Sequence, residues 1–268
     1  MSVQGVKRSE IYQFLKSTIV NDKELLTKLT TQTCIYDMCP NVIQHDEVYL
    51  DQHIERFVDT LRIVAEIETP NKQFLRILDV GAGVGFLSIL LRVKFGHNVE
   101  AVDLRESILF WEERFKKYGI PLKPCDITTE PLPYAAESFD IVIFSEVLEH
   151  LFASPIHAIT EVKRVLKHNG TLILTTPNVC RLANIGRLIL GKNILPDFRK
   201  YELGSTPKTP HIREYTLKEV ISLINEVKLE GLASRNRDHF HSYYRLLNVI
   251  TYLLPRYRER ITVRARKV

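Results

Sequence analysis

Apolar positions recur at helical spacing over residues 51–67, where Ile54, Phe57, Val58, Leu61, Val64 and Ala65 would share one face. Thr69, Pro70 and Asn71 break that pattern. From Phe74 onward short apolar runs alternate with helical segments. Strands are expected near 74–80, 98–103, 121–125, 139–145 and 171–176. Helices are expected near 85–95, 106–118 and 155–167, with Asn169 and Gly170 closing the last. Such alternation predicts a parallel sheet covered on both faces. A helix over 216–227 follows, with Thr216 as N-cap and Glu219 completing a capping box. A strand near 232–238, a helix near 242–254 and a strand near 260–266 complete the pattern. The expected organisation is a helical extension over 1–70 and an α/β domain over 71–268.

The pattern fails between Thr176 and Tyr215, where Pro177, Gly186, Gly191, Pro196, Gly204, Pro207 and Pro210 punctuate the chain. A connection of that length inside a domain is usually functional. It follows the carboxyl end of a strand, the face on which open α/β sheets bind ligands. The segment 177–215 therefore reads as a cap over an acceptor site.

Composition narrows the classes. The chain has 268 residues, 45% of them hydrophobic, enough for one large domain with additions. Cys34, Cys39, Cys125 and Cys180 lack a zinc or redox spacing and read as reduced and structural. The start of the sequence has no signal-peptide pattern, and no run reaches the roughly 20 apolar residues of a membrane span. A cytoplasmic protein, peripheral to a membrane at most, is the expectation. The net charge of +5 is concentrated after Gly231, where Arg235, Arg237, Arg245, Arg256, Arg258, Arg260, Arg264, Arg266 and Lys267 face only Asp238 and Glu259. Such an end can attract anionic lipid, nucleic acid or a phosphorylated substrate, with a plain solvated surface as the alternative. Tyr243, Leu246, Leu247, Ile250, Leu253 and Leu254 form a stripe expected to pack on the sheet, with a membrane surface as the alternative.

Ile77 to Ser88 carries the chemistry. A strand runs into Asp79, Gly81, Gly83 and Gly85, and then into a helix whose N-terminal amides face the turn. A nicotinamide fingerprint needs its last glycine one position later, where Phe86 stands. Asp103 ends the second strand, placed to accept hydrogen bonds from ribose hydroxyls. A helix N-cap is its alternative role. Asp126 follows the third strand, where a plain turn role is also open.

The glycine turn, Asp103, Asp126 and the run Phe139-Asp-Ile-Val142, in that order, resemble class I S-adenosylmethionine-dependent methyltransferases. The resemblance covers about 74–176. It implies a Rossmann-like sheet, mostly parallel with an antiparallel last strand. It also implies S-adenosylmethionine bound by Asp79, Gly81, Ala82, Gly83, Gly85, Asp103, Leu104, Asp126, Ile127 and Ser145. In that family the acid at Asp126 faces the adenine amino group, and the next backbone amide contacts the ring.

Glu146, Glu149 and His150 leave the fourth strand at i, i+3 and i+4 and would share a helical face. Such a set serves as a general base or as a divalent-ion site. His150, Glu146, Glu149 and His211 are the candidate catalytic residues. Two subgroups of the resembled family, small-RNA 2′-O-methyltransferases and ubiquinone-pathway O-methyltransferases, use this Glu-x-x-Glu-His pattern with a metal. The same run is widespread in the family without one, so a metal on Glu146, Glu149, His150 and His211 is kept as the alternative. Residues 176–184, Leu190 to Pro196 and 211–219 are similar to methyltransferases found with cell-surface polysaccharide synthesis. That similarity implies a sugar, glycan or other hydroxyl-bearing acceptor, anionic or lipid-linked, with His211 and Arg213 contacting a hydroxyl or phosphate. The alternatives are a metal-dependent RNA 2′-O-methyltransferase, with nucleic acid as partner, and a quinone-type O-methyltransferase. The chain has no recognisable RNA-binding module to support the former.

Overall fold

In the computed structural model, which describes residues 5, 7–22, 42–67, 74–195, 211–237 and 245–268, the helical period of the N-terminal segment is realised. Helix α1 spans Arg8–Leu15 and runs into a π turn at Lys16–Val20. Helix α2 spans Val42–Ile67, starting earlier than the apolar period shows. Ile54, Phe57, Val58, Leu61, Val64 and Ala65 are all buried, as the period predicts. Asp46, Arg56, Asp59 and Thr60 are buried as well, which the period does not predict.

The rest alternates as expected. Strand β1 spans Arg76–Val80, α3 Phe86–Ile89 with a π turn at Leu90–Lys94, and β2 Asn98–Asp103. Helix α4 spans Arg105–Lys117, β3 Leu122–Pro124, β4 Phe139–Ser145, α5 Pro155–Val165 and β5 Leu166–Pro177. Helix α6 spans Leu182–Ile189, α7 Leu217–Glu226, β6 Glu230–Arg237, α8 Arg245–Leu253 and β7 Arg260–Arg266. The seven strands form one sheet in the order β3-β2-β1-β4-β5-β7-β6. It is a mostly parallel sheet in which β7 runs antiparallel to both of its neighbours.

The chain divides into two compact units. One holds Met1–Asp126 and Pro133–Val142, the other Ile127–Leu132 and Ile143–Val268. In the first, β1 pairs in parallel with β2 from Arg76 opposite Asn98 to Val80 opposite Val102. Strand β2 pairs in parallel with β3. Asp46 of α2 and Arg114 of α4 form a fully buried ion pair at 2.6 Å, and Arg114 Nη1 also donates to the carbonyl of Val84 at 3.0 Å. Arg114 thereby links helix α2 to the glycine turn. The boundary expected near residue 70 lies outside the described residues.

In the second unit β7 is bracketed by β5 and β6. Helix α5 begins at Pro155 with Ser154 as N-cap, its Oγ accepting from Ile156 N. It ends at Val165, two residues before the expected end, because Leu166 onward is already extended. Asn169 and Gly170 do not close the helix. They lie inside β5, where Asn169 N donates to the carbonyl of Lys267 and Lys267 N donates to that of Gly170. Helix α7 has the expected capping box, with Glu219 N donating to Thr216 Oγ1 and Thr216 N donating to Glu219 Oε2.

The packing expected of the C-terminal stripe is corrected where it can be seen. Ile250 is half-buried, whereas Leu253 and Leu254 are exposed where α8 stops at Leu253 and a 3-10 turn at Pro255–Tyr257 follows. Arg258 Nε holds that turn by donating to the carbonyl of Thr251 at 3.0 Å. Tyr243 lies outside the described residues, as do Cys34, Cys39, Asp238 and most of the cap beyond Leu195. The side chains of Leu246, Leu247, Arg235, Arg237 and Arg245 are likewise not described. Cys125 is a buried thiol outside any disulfide, and Cys180, likewise not in a disulfide, is half-buried. Among the described residues no helix is long and apolar enough to cross a membrane.

Candidate active site

The glycine turn is built onto the end of β2. Gly81 N and Ala82 N both donate to the carbonyl of Val102, at 2.9 and 3.3 Å. Gly83 has φ +53 and Gly85 φ +81, in the left-handed region that side chains disfavour. Their surroundings differ. A Cβ on Gly85 would stand 2.8 Å from the Phe115 ring, whereas a Cβ on Gly83 would meet nothing within 4 Å. Gly85 is thus required by packing, and the space over Gly83 is open.

Asp103 is drawn into this turn. Its Oδ2 accepts from Gly83 N at 2.6 Å and its Oδ1 from Leu104 N at 2.8 Å. Burial raises its pKa, and the hydrogen bonds from Gly83, Leu104 and Ser107 oppose that rise. The N-cap of α4 is Leu104, so Asp103 steadies the first turn from one residue before it.

Asp79 is 4% exposed and accepts from Ser88 Oγ at 2.5 Å. Its pKa is pushed up to about 6, chiefly by burial and further by the charge of Asp103, against the hydrogen bond from Ser88 and the charge of Arg56. Arg56 was not among the residues that the sequence singled out. It sits buried on α2, its Nη2 donating to Tyr49 Oη at 2.8 Å. Phe86, where a nicotinamide fingerprint would have glycine, stacks on Phe57 with ring centroids 6.2 Å apart and lies 5.7 Å from Tyr49. Asp126, half-buried, follows Cys125, whose N donates to the carbonyl of Asp103 at 2.9 Å. Ile127 is buried in the other unit.

The second unit assembles the acceptor candidates. Ser145 Oγ lies 2.8 Å from Thr175 Oγ1, which donates to Glu146 Oε1 at 2.7 Å. Glu146 has φ +56, strained for a side-chain-bearing residue, and its N donates to the carbonyl of Thr175. The expected helical face of Glu146, Glu149 and His150 therefore does not form. A left-handed residue starts the turn, only Leu148–His150 is helical, as a 3-10 turn, and Glu146 faces Thr175 instead.

The structure brings Glu149, His150 and His211 together, with one potential ligand atom from each within 4.8 Å of the others. The two imidazoles meet edge to face at 4.9 Å between centroids. Glu149 is buried and accepts from Thr176 Oγ1 at 2.9 Å. Its carbonyl accepts from Ile212 N at 2.8 Å and from Arg213 N at 3.3 Å, which joins the 211–215 segment to the 148–150 turn. Arg213 is turned to Glu219 and lies 5.0 Å from the Tyr215 ring. Glu214, also missed in the sequence, is buried behind His211. Burial alone would raise its pKa, but hydrogen bonds from His211, Arg181 and Asn184 and the charge of Arg181 carry it down to about 2. Phe152 and Ile212, next to these histidines in the chain, are 68% and 48% exposed.

Residues 78–174 match the family model of a methyltransferase domain. Solved structures agree on the fold. A SAM-dependent methyltransferase from Aquifex aeolicus superposes with a TM-score of 0.53 over 90% of this chain and 98% of that one, at 16% identity. One from Mesorhizobium loti gives 0.55 over 77% and 96%, at 18% identity. Among curated relatives, the mitochondrial ubiquinone biosynthesis O-methyltransferase of Candida albicans is 29% identical over 187 residues, 65% of this chain and 56% of that protein. The ubiquinone biosynthesis O-methyltransferase of Rickettsia canadensis is 30% identical over 159 residues, 58% and 63% respectively. The chain thus spans less than two thirds of the length of these relatives.

Proposed function

We propose that the protein is an S-adenosylmethionine-dependent O-methyltransferase acting on a hydroxyl of an aromatic, quinone-type acceptor. The observation that carries the reading is the Glu149, His150 and His211 cluster, in which two imidazoles and a carboxylate come together. A neutral imidazole is a general base suited to removal of an aromatic hydroxyl proton. Phe152 and Ile212, exposed and close in sequence to His150 and His211, suit an apolar ring better than a sugar. The names of the relatives point the same way. The sugar or glycan reading rests on the 176–219 resemblance alone and gains no support from those relatives. Arg213, its candidate for a phosphate, is occupied by Glu219.

The donor half of the reading assigns S-adenosylmethionine to Asp79, Gly81, Ala82, Gly83, Gly85, Asp103, Leu104, Asp126, Ile127 and Ser145. The fit is supported by the open space over Gly83 and by the Asp103 carboxylate at the same turn. When bound, the donor supplies an electrophilic methyl group on a sulfonium. Asp103 would exchange its bond from Gly83 for ribose hydroxyls. Asp79 and Arg56, of opposite charge, would meet the ammonium and carboxylate of the donor's amino acid end. His150 or His211 would accept the proton released by the acceptor.

A divalent ion fits the same cluster. Glu149, His150 and His211 would hold it, and it would supply a Lewis acid that lowers the pKa of a bound hydroxyl. Glu146 is not part of that set. Methyl transfer from labelled donor to a catechol-type aromatic acid and to a nucleotide sugar, in chelator and with Mg²⁺ or Mn²⁺ restored, tests the proposal. Label is expected on the aromatic hydroxyl. Label on the sugar and none on the aromatic acid would overturn the acceptor reading, and full activity in chelator would remove the metal.

A further inference from the structure

Glu214 is 7% exposed, and its oxygens are fixed from two sides. Arg181 grips it as a fork, with Nη1 donating to Oε2 at 2.6 Å and Nη2 to Oε1 at 2.9 Å. Asn184 Nδ2 adds a third bond to Oε2 at 2.8 Å. Both partners belong to the start of α6, and Asn184 is itself buried and bonded to the carbonyl of Val179. A carboxylate held by a bidentate guanidinium and an amide has no rotational freedom left. Its Oε1 therefore stands as a fixed acceptor, and His211 Nδ1 lies 3.5 Å from it. A neutral imidazole with an acceptor at Nδ1 keeps its proton there and carries its lone pair on Nε2. The backbone bonds from Ile212 N and Arg213 N to the Glu149 carbonyl hold the same segment from its other side.

We infer that Glu214 is a positioning residue for His211: clamped by Arg181 and Asn184, it holds the proton on Nδ1 and presents Nε2 towards Glu149 and His150. The inference deepens the proposed function and rests on His211 serving the acceptor. Nε2 is then the atom that receives the hydroxyl proton or ligates an ion. Carboxylate partners of this kind typically set activity by a factor of 10 to 100 when they are lost.

The first test needs neither acceptor nor metal. Nitrogen-detected imidazole NMR of the full chain at about pH 9, where an ordinary imidazole is neutral, reads the tautomer of His211, assigned by the signals lost in His211→Gln. A proton on Nδ1 is expected; a proton on Nε2 overturns the inference whatever the substrate proves to be. The second test is kinetic. Glu214→Ala is expected to lower kcat by roughly 10- to 100-fold, with the affinity for S-adenosylhomocysteine unchanged. Glu214→Gln keeps an oxygen opposite Nδ1, so it is expected to recover most of the loss. A folded Glu214→Ala with unchanged kcat overturns the inference, and a purely structural staple would leave the tautomer unmoved. Should Glu214→Ala not fold, the wild-type tautomer and Glu214→Gln still decide.

Discussion

The carboxylate of Asp103 accepts the backbone N–H of Gly83 at 2.6 Å, so the acid ending β2 and the middle glycine of the turn are already in register. The proposed ribose contact needs only an exchange of partners on a carboxylate whose place is set. That relationship ties the glycine turn and the acid into one structural element.

The two glycines should separate binding from stability. Gly85→Ala would drive a Cβ into the Phe115 ring at a left-handed φ. A loss of about 2–4 kcal/mol is expected in chemical denaturation. Gly83→Ala meets only the backbone strain, about 1 kcal/mol, but intrudes on the space proposed for the donor. It should stay folded and lose affinity for S-adenosylhomocysteine. Equal stability losses in the two variants would contradict this division.

Asp79 should make the ligand-free protein pH-sensitive. Its pKa is raised from 3.8 to about 6, so its contribution to stability is fully present below about pH 4 and is lost as pH rises through about 6. The gap corresponds to about 3 kcal/mol, an order-of-magnitude figure. Asp79→Asn is therefore expected to be more stable than the wild type at pH 7.5 and no more stable at pH 4, in matched urea titrations. Donor affinity should rise between pH 5 and pH 7 in the wild type, as the carboxylate that would meet the ammonium becomes charged.

Removing one partner of the Asp46–Arg114 pair leaves a buried charge. Asp46→Ala is expected to cost about 3–5 kcal/mol. Asp46→Ala with Arg114→Met should recover part of that loss. A change below 1 kcal/mol in the single variant would show that α2 is not fastened through this pair.

Much of this was legible in the sequence where local chemistry decides. The run over 260–266 needs strand pairing, and β7 spans those residues. Thr216 and Glu219 specify a cap within four residues, and the cap is present. The glycines, Asp103 and Phe86 marked the turn, and the structure supplies the reason for Phe86 in its stack on Phe57. What the pattern hid depends on partners far along the chain. Arg56 lies on a helix whose apolar stripe masks a buried cation. Glu214 acquires its place from Arg181 and Asn184, about 30 residues earlier. Helical spacing misplaced Glu146, because nothing local announces the left-handed turn that points it at Thr175.

The most direct measurement is a calorimetric titration of the full chain with S-adenosylhomocysteine, for the wild type and for Asp103→Ala. Charge-assisted hydrogen bonds contribute roughly 1.5–3 kcal/mol each, so the variant should bind at least about 10-fold more weakly while melting as a folded protein. A wild type that does not bind S-adenosylhomocysteine, or a folded Asp103→Ala variant that binds it equally well, would contradict the account.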